Sequence, residues 1–502
     1  MELKTKNYYK YRLLESVPGI LVWATLILAV LVSVWQPLWA IYFIIIFDLY
    51  WFIRVSYMLI YLFISWRRYH QESRQNWLSK LSEIKDKDWR EYHHLVFLPT
   101  YKEPFEVVEQ TFKSLTQSLY PLDKMVIILA GEEADRVNFE QVAARIQKEF
   151  GYTFSKLITT LHPANVPGEM PGKGSNIHYA GHRAKEYVDT MGWTYEEVIV
   201  SAFDIDTKVH PQYFSYLTYQ YLTADDPTRY SYQPLAFYHN NVWESNLVTR
   251  VVSNATTFWL LTDLARSERL FTFSSHSMSF KALVDVGFWQ NDIVTEDSRI
   301  FLQCFIYYNG NYRVKPMYIP VSMNTVYMGK FWRSLLNQYK QMRRWAWGVE
   351  HFPYMAWNFY KNKKMPLVKK VRYLWNQTEG VYSWATAPII IFLLGRLPLY
   401  FADKTEQSTY IAQQAPFILE FLMTISMLGL IITAVFSTLL LPPRPLKYHW
   451  SIYLVMIGQW IVFPITMIFF GSIPAIEAQT RLMLGGRFRL GFWVTEKKGS
   501  ID

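Results

Sequence analysis

The stretch EVIVSAFDID, residues 197–206, is the most informative in the chain, because a short apolar run ends in two carboxylates. Two runs of similar length lie upstream of it, HLVFLPT at 94–100 and KMVIILAG at 124–131. Stretches with helical spacing separate the three runs, namely VEQTFKSLTQSL at 108–119 and FEQVAARIQKEF at 139–150. Alternation of strand-like and helix-like segments predicts an α/β fold, with a mainly parallel sheet and helices on its faces.

The composition indicates a membrane protein with a substantial soluble part. Of the 502 residues, 51% are hydrophobic, 18% are aromatic and 18% are charged. Aromatic rings favour membrane–water interfaces, and cytoplasmic segments collect Lys and Arg, which accounts for the formal charge of +10. No basic run stands beside a nucleic-acid fold signature, so we expect no nucleic-acid partner. The one cysteine, Cys304, excludes an internal disulfide framework and fits a reducing compartment.

The N-terminal region, residues 1–66, is expected to hold two transmembrane helices joined by a turn at Gln36–Pro37. It is long enough to cross a bilayer twice, since one crossing takes roughly 20 residues. Basic residues flank the pair on both sides, which places both ends in the cytoplasm. Asp48 and Arg54 lie inside the second span, where charges are costly. They have either a structural role or line a polar path.

The rest of the chain divides by composition into a polar linker, an α/β region and a second membrane region. Three apolar stretches after residue 378, at 379–400, 416–441 and 450–476, are each long enough to span. Three spans would leave the basic tail outside, so Pro464 and Pro474 are candidate breaks that make the last stretch re-entrant. The predicted segments are an amphipathic linker at 67–91, a catalytic domain at 92–330, interfacial helices at 331–378, two or three spans at 379–476, and an interfacial tail at 477–502.

Three stretches carry groups suited to chemistry. Asp204 and Asp206 follow a strand, where they either hold a divalent cation or form a solvated turn. Lys173 stands between two glycines before a predicted helix, which suits either a phosphate site or a plain glycine turn. Glu296 and Asp297 precede another predicted helix, either as a helix cap or as a general base.

The order of these stretches carries a resemblance to a known family. The motifs, in chain order, are PTYKEP at 99–104, LAGEEAD at 129–135, GKGSN at 172–176, DID at 204–206, TED at 295–297 and QMRRW at 341–345. The chain thereby resembles processive family 2 glycosyltransferases, the group of cellulose, hyaluronan and chitin synthases. That resemblance implies a GT-A glycosyltransferase domain inserted between transmembrane helices.

The resemblance also implies roles for individual residues. It makes Asp297 the catalytic base and Asp204 and Asp206 the ligands of Mg²⁺ or Mn²⁺. It places Glu296, His276 and Trp345 on the acceptor side, with Trp345 stacked on a sugar. The implied nucleotide-sugar site contains Thr100, Tyr101, Glu103, an acid of the Glu132–Glu133 pair, Lys173, Asp204, Gln341 and Arg344.

The C-terminal stretch FWVTEK, residues 492–497, resembles the gating loop of cellulose synthases. That likeness implies that Thr495 and Lys497 reach the donor phosphates and that the tail is cytoplasmic. Trp347 has no family role and is expected to anchor the chain at the membrane interface. The stretch FSSHSMSF at 273–280 departs from the family pattern near the acceptor, so the product need not be one of the three familiar polymers.

The resemblance therefore implies an inverting glycosyltransferase, which we expect in the plasma (inner) membrane with its catalytic domain in the cytoplasm. It would use a nucleotide-sugar, expected to be a UDP-sugar, to elongate and translocate a polysaccharide. The alternative is a transferase that adds one sugar to a lipid, as ceramide glucosyltransferases do. Expected partners are the donor, a glycan or lipid acceptor, the bilayer and an accessory subunit for secretion.

Overall fold

The centre of the molecule is a sheet whose first half is parallel. The computed structural model describes residues 5–403 and 409–491. Strand β1 (His93–Pro99) pairs in parallel with β2 (Met125–Glu132) and with β4 (Val198–Ala202). Strand β3 (Lys156–His162) pairs in parallel with β2. Strands β1, β2 and β4 are buried along almost their whole length, as central parallel strands require, whereas β3 lies at the sheet edge and is partly exposed.

The second half of the sheet is mixed, and its antiparallel strands are a difference from the predicted, mainly parallel arrangement. Strand β7 (His276–Ser279) runs antiparallel to both β4 and β6 (Tyr230–Tyr238). Strand β8 (Arg313–Met323) is parallel to β6 and antiparallel to β5 (Lys208–Val209). The order across the sheet is β3-β2-β1-β4-β7-β6-β8-β5. Because β7 is rich in serine, its sequence lacks the apolar residues from which a buried strand is predicted.

Helices cover both faces of this sheet, as the alternating pattern predicts. Side chains of β1 alternate between a cluster with Phe112 and Ile146 on one face and a cluster with Ile177 on the other. The helices of this region are Phe105–Thr116, Arg136–Phe150, Lys173–Met191, Tyr213–Leu222, Leu247–Leu264, Phe280–Asp285, Glu296–Tyr307, Phe331–Ala346 and His351–Lys361.

Five helical stretches in the described part of the chain are long and apolar enough to cross a membrane. They are Asn7–Trp35, Pro37–Glu72, Leu367–Phe401, Tyr410–Leu439 and Ile452–Leu484. This is the sequence signature of a membrane protein. The second of these helices continues past residue 66 to Glu72, and the short helix Trp77–Ser82 and a 3₁₀ segment at Trp89–Glu91 follow it. Asn76 caps the short helix by accepting a hydrogen bond from the Ser79 amide at 3.1 Å.

The stretch Ile452–Leu484 is not one regular helix. Short 3₁₀ and π segments, at Gln459–Val462 and Met467–Ser472, interrupt it. Its first turns pack against Trp243, which follows β6. Its far end receives hydrogen bonds from Arg12, to the carbonyls of Leu482 and Met483 at 3.1 and 2.8 Å.

Both ends of this stretch also meet the part of the chain that carries the sheet. Glu477 binds Arg343 of the helix Phe331–Ala346 at 2.6 Å. Near the start, Met456 is in contact with Arg250 of the helix Leu247–Leu264. Each end of the stretch therefore contacts a helix of the region that carries the sheet.

The intramembrane charge Arg54 is paired. Its guanidinium forms an ion pair with Glu379 of the third membrane helix, and Arg269 lies 3.5 Å from the same carboxylate. Tyr50 and Ser383 donate further hydrogen bonds to Glu379, at 3.1 and 2.9 Å. Of the two readings of Arg54, the structural one has this direct support, because a charge inside a membrane bundle needs a partner.

Candidate functional site

The GKG turn places Lys173 at the start of a helix. Gly172 has φ 149° and ψ −170°, a conformation that essentially only glycine adopts. Gly174 allows a close approach, because a Cβ there would lie 3.0 Å from the Gln290 carbonyl oxygen and 3.3 Å from Cβ of Glu296. Gly172 is needed for its backbone conformation, and Gly174 is needed for the close approach. Together they allow the helix Lys173–Met191 to pack against the TED segment.

Lys173 joins two carboxylates from distant parts of the chain. Its Nζ donates hydrogen bonds of 2.8 Å to Asp204 Oδ1, at the end of β4, and 2.8 Å to Asp297 Oδ1, in the first turn of the helix Glu296–Tyr307. The Glu296 carboxylate lies 3.9 Å from the same nitrogen. Three of the predicted site segments thus meet at one ammonium group.

The electrostatics of this cluster separate the roles of its acids. Burial, followed by the charge of Asp297, raises the pKa of Glu296 to about 8. Burial acts to lower the pKa of Lys173, but the surrounding carboxylates outweigh it and raise that pKa above its ordinary value. The surroundings therefore favour the protonated form of Glu296 and the charged form of Lys173.

The backbone around Asp297 is fixed from two sides. Thr272 donates a 2.6 Å hydrogen bond to the Asp297 carbonyl, and Thr295 bonds to Glu350. The residue before the helix, Thr295, makes no side-chain cap bond, and the Asp297 carboxylate is directed to Lys173 instead. The interpretation of this motif as a helix cap is therefore not supported by a side-chain capping hydrogen bond.

The carboxylates of the DID motif accept several hydrogen bonds. Lys173 and Ser274 donate to the two oxygens of Asp204. Asp206 is buried, and its Oδ2 accepts a 3.0 Å hydrogen bond from the Asn324 amide. Within residues 5–403 and 409–491, no group of three or more His, Cys, Asp or Glu side chains is arranged to hold a metal ion. A cation bound here would need further ligands from its substrate.

The predicted donor residues near β1 lie together at its carboxyl end. The Thr100 hydroxyl donates to Glu103 at 2.9 Å, and the Tyr101 amide donates to the same carboxylate. Burial, with a contribution from Asp206, raises the pKa of Glu103 to about 7. This PTYKEP turn therefore lies within electrostatic range of the DID motif.

The two glutamates after β2 differ in their surroundings. Glu132 is partly buried and lies 2.9 Å from Nδ1 of His162, whose Nε2 lies 2.8 Å from Glu169. Glu133 is exposed, and it accepts hydrogen bonds from Arg136 and from the Ala164 amide, both at 2.9 Å. Of the two, Glu132 is the one held by the loop that leads to Lys173.

The QMRRW segment lies near the carboxylate cluster. The positive charge of Arg344 acts to lower the pKa of both Tyr238 and Glu296, so Arg344 lies near both side chains. Trp345 packs on Tyr238 with ring centroids 5.7 Å apart, and Gln341 is buried and accepts a hydrogen bond from Gln338. Trp347, expected as a membrane-interface anchor, is instead buried and donates to Glu350 at 3.0 Å, because it packs beneath the TED segment.

Of the remaining predicted site residues, the structure describes His276 but not the two residues of the C-terminal tail. His276 lies at the start of β7, and its side chain is buried, which lowers its pKa to about 4. Its neutral ring lies within the range of the charges on Asp297 and Lys173. Thr495 and Lys497 lie outside the described residues.

Several site residues are not part of the motif series. Tyr238 ends β6 and lies within the fields of Asp204, Asp206 and Asp297, which, after burial, raise its pKa. Thr272 and Glu350 are the supports of the TED segment described above. Of these three residues, only Tyr238 could have been identified from the sequence, because polar groups at strand ends collect at the ligand-binding edge of such a sheet.

The fold and this cluster of acids at strand ends define a glycosyltransferase of the GT-A class. The family model described as "Glycosyl transferase family group 2" matches residues 199–472, which is more than half of the chain. The chain therefore belongs to this family, and it is an enzyme of the glycosyltransferase type.

Solved structures give more distant likenesses. The mannosyltransferase PcManGT from Pyrobaculum calidifontis, in complex with GDP-Man and Mn²⁺, is 15% identical with a TM-score of 0.44, over 83% of this chain and 97% of that chain. S. aureus TarS 1–349 in complex with UDP-GlcNAc is 10% identical with a TM-score of 0.36, over 68% of this chain and 90% of that chain. No curated protein matches the sequence.

Proposed function

We propose that the protein is a membrane-embedded, inverting glycosyltransferase that uses a nucleotide-sugar donor. The observation that carries this proposal is the pair of 2.8 Å contacts through which Lys173 joins Asp204 to Asp297. Asp297 takes the proton of an acceptor hydroxyl, and the freed oxygen forms a bond to the anomeric carbon. The bond from that carbon to the nucleoside diphosphate breaks, and the diphosphate leaves with the electron pair.

Lys173 and Arg344 are the proposed contacts of the diphosphate. Within the described residues, Arg344 has no carboxylate partner in an ion pair, although its neighbour Arg343 is paired with Glu477. A guanidinium near the acids but without an acid of its own is suited to bind phosphate oxygens. The helix that begins at Lys173 adds its N-terminal dipole.

A divalent cation fits the DID motif in part. Asp206 and Asp204 offer the oxygen ligands that Mg²⁺ and Mn²⁺ prefer. Both carboxylates already accept hydrogen bonds, Asp204 from Lys173 and Ser274 and Asp206 from the Asn324 amide, so a cation would bind in competition with these contacts. A bound cation would neutralise charge on the departing diphosphate.

We propose that the tail is on the same side as the catalytic region, taken as residues 92–330, and that this side is cytoplasmic. The last described residues support this proposal, because Leu490 packs in one cluster with Val294 and Trp347, directly beside the TED segment. Arg489 also pairs with Glu15 at the start of the first membrane helix. The segment 492–497 would therefore begin close to the reacting groups, as a gating role requires.

For the product, we propose a polysaccharide that is elongated and passed across the inner membrane. The five candidate spans and the position of the tail support this reading. Transfer of one sugar to a lipid is the second candidate. The Arg54–Glu379 ion pair favours it, because a closed pair between two membrane helices leaves less room for a polymer.

A donor screen with product sizing tests the proposal. Purified protein in lipid vesicles is given common UDP- and GDP-sugars, and the release of nucleoside diphosphate is measured. A polysaccharide synthase gives water-soluble or vesicle-enclosed chains of many lengths. A lipid transferase gives one product of fixed mass that extracts into organic solvent. Failure of every donor with well-folded protein would contradict the glycosyl-transfer assignment for this chain.

The gating assignment has its own test. Lys497→Ala is expected to raise the KM for the donor, while the adjacent Lys498→Ala serves as the matched control. A labelled cysteine at Ser500 should react only from the catalytic-domain side of sealed vesicles. Labelling from the opposite side would contradict both the gating role and the proposed course of the last membrane stretch.

A further inference from the structure

The third membrane helix begins with an apolar stripe that no described part of the chain covers. Leu367, Val368, Val371 and Trp375 have 72%, 70%, 57% and 67% of their surface exposed. Their spacing puts them on one side of the helix. On the opposite side Tyr373 is buried, with its ring 4.4 Å from that of Phe305. The first turns therefore pack on the catalytic region with one face and present the other outward.

Basic residues lie next to this stripe in the sequence. Between His351 and Thr378 the sequence has six Lys and Arg residues and no Asp or Glu. Lys369 and Lys370 donate to the backbone carbonyls of Gly310 and Asn362, so they hold the corner together. The other four are exposed and form no ion pair in the described part of the chain: Lys361, Lys363, Lys364 and Arg372. We call the stripe and these four residues the basic-apolar patch.

The length and composition of the third membrane helix suit a position of the patch at the depth of lipid headgroups. Its regular α-helical part, Leu367–Ile389, has 23 residues, and a π segment and a short helix extend it to Phe401. At 1.5 Å per residue the regular part alone is about 34 Å long, more than the roughly 30 Å of the hydrocarbon core. Because its first turns pack on the catalytic region through Tyr373, this is the end that suits the interface on that side. Trp375 and the lysines are residue types that favour this zone.

We propose that the basic-apolar patch binds anionic phospholipids of the leaflet that faces the catalytic region. The four cations match the phosphate charge of the headgroups, and the apolar stripe continues directly into the membrane-spanning part of the same helix. Together they account for why a row of large apolar side chains is exposed beside cations that have no acidic partner, two of which, Lys361 and Lys363, lie over the rings of Trp357 and Tyr360. This binding is separate from donor and acceptor recognition, because no residue of the patch belongs to the carboxylate cluster.

Lipid-selective quenching tests the proposal. The one natural cysteine, Cys304, is buried, so Val371→Cys can carry a single fluorophore. The full-length protein is placed in phosphatidylcholine vesicles that contain a small, equal fraction of either spin-labelled phosphatidylglycerol or spin-labelled phosphatidylcholine. Each basic residue near an anionic headgroup favours its binding, so we expect phosphatidylglycerol to quench at least about threefold more strongly.

Two controls separate lipid binding from simple exposure. The preference should fall to about one in K361Q/K363Q/K364Q/R372Q protein and at roughly 1 M salt, where screening is short-ranged. A label at Ile46, an exposed position far from these cations, should show no preference. Equal quenching by both lipids at position 371 would overturn the proposal. So would the absence of quenching by either lipid, which would mean that protein, such as a second copy of the chain, covers the patch.

Discussion

The Nζ of Lys173 lies 2.8 Å from a carboxylate oxygen of Asp297, although 124 residues separate them in the chain. In this arrangement the ammonium group occupies the position between the proposed base and the DID motif. A lysine so placed holds the Asp297 carboxylate by a charge-assisted hydrogen bond and fixes its orientation. As a proposed contact of the donor diphosphate, the same ammonium group would be compensated by the negative charge of the phosphates.

The first prediction concerns the proposed base. Asp297→Asn should lower turnover by ~10²–10⁴-fold, because it removes the proton acceptor. Nucleotide affinity, measured by calorimetry, should change little. The exposed Glu140, changed to Gln, is the control. If Asp297→Asn retains more than about a tenth of the activity, given that usual range, the base is another residue.

The second prediction concerns the neighbouring acid. The raised pKa of Glu296 means that the folded protein keeps a proton that the unfolded chain loses. The stability contribution is fully present below about pH 4.5 and is lost as the pH rises through about 8. The melting temperature should therefore fall over this window in the wild type, and fall less in Glu296→Gln. An identical pH profile in both proteins would contradict the assignment.

The third prediction concerns His162, which bridges Glu132 and Glu169. Burial acts to lower its pKa, but the two carboxylates outweigh it and raise the pKa above 6.5. The resulting stability is present below pH 6.5 and is lost as the pH rises through the higher, folded-state pKa. Thermal melting of His162→Gln should lack this loss. His449→Gln, on an exposed ring whose hydrogen-bond partner is Ser451 rather than a carboxylate, should behave like the wild type.

The fourth prediction concerns divalent cations. Excess chelator should abolish turnover, and Mg²⁺ or Mn²⁺ should restore it, because the departing diphosphate needs neutralisation. Asp206→Asn should raise the concentration of metal that gives half-maximal activity. The exposed Asp225, changed to Asn, provides the comparison. Full activity in chelator would remove Asp204 and Asp206 from a metal-binding role.

The fifth prediction concerns the ion pair between Arg54 and Glu379. Glu379→Gln leaves Arg54 and Arg269 without their shared carboxylate, and breaking a buried pair costs roughly 3–5 kcal/mol. We expect a clear drop in melting temperature in detergent. Glu268→Gln breaks a more exposed contact with Arg266 and should have a small effect. Equal effects of the two changes would contradict a structural role for the buried pair.

Local patterns in the sequence determined the parallel half of the sheet and the membrane helices. An apolar run such as 124–131 is a buried strand in almost any α/β context, and a long uncharged stretch must avoid water. The GKG, DID and TED segments were also identifiable, because their residue types are suited to phosphates, cations and proton transfer. These features depend on neighbours within a few positions along the chain.

Only the tertiary structure decided which of these groups meet. Lys173 contacts Asp204 and Asp297 from 31 and 124 residues away, and no periodicity encodes that distance. The serine-rich strand β7, the burial of Trp347 and the supports from Thr272 and Glu350 likewise come from packing between distant segments. The interruptions of Ile452–Leu484, and its contacts with Trp243 at one end and Arg12 at the other, are the same kind of result, because hydrophobicity alone does not encode contacts between distant segments.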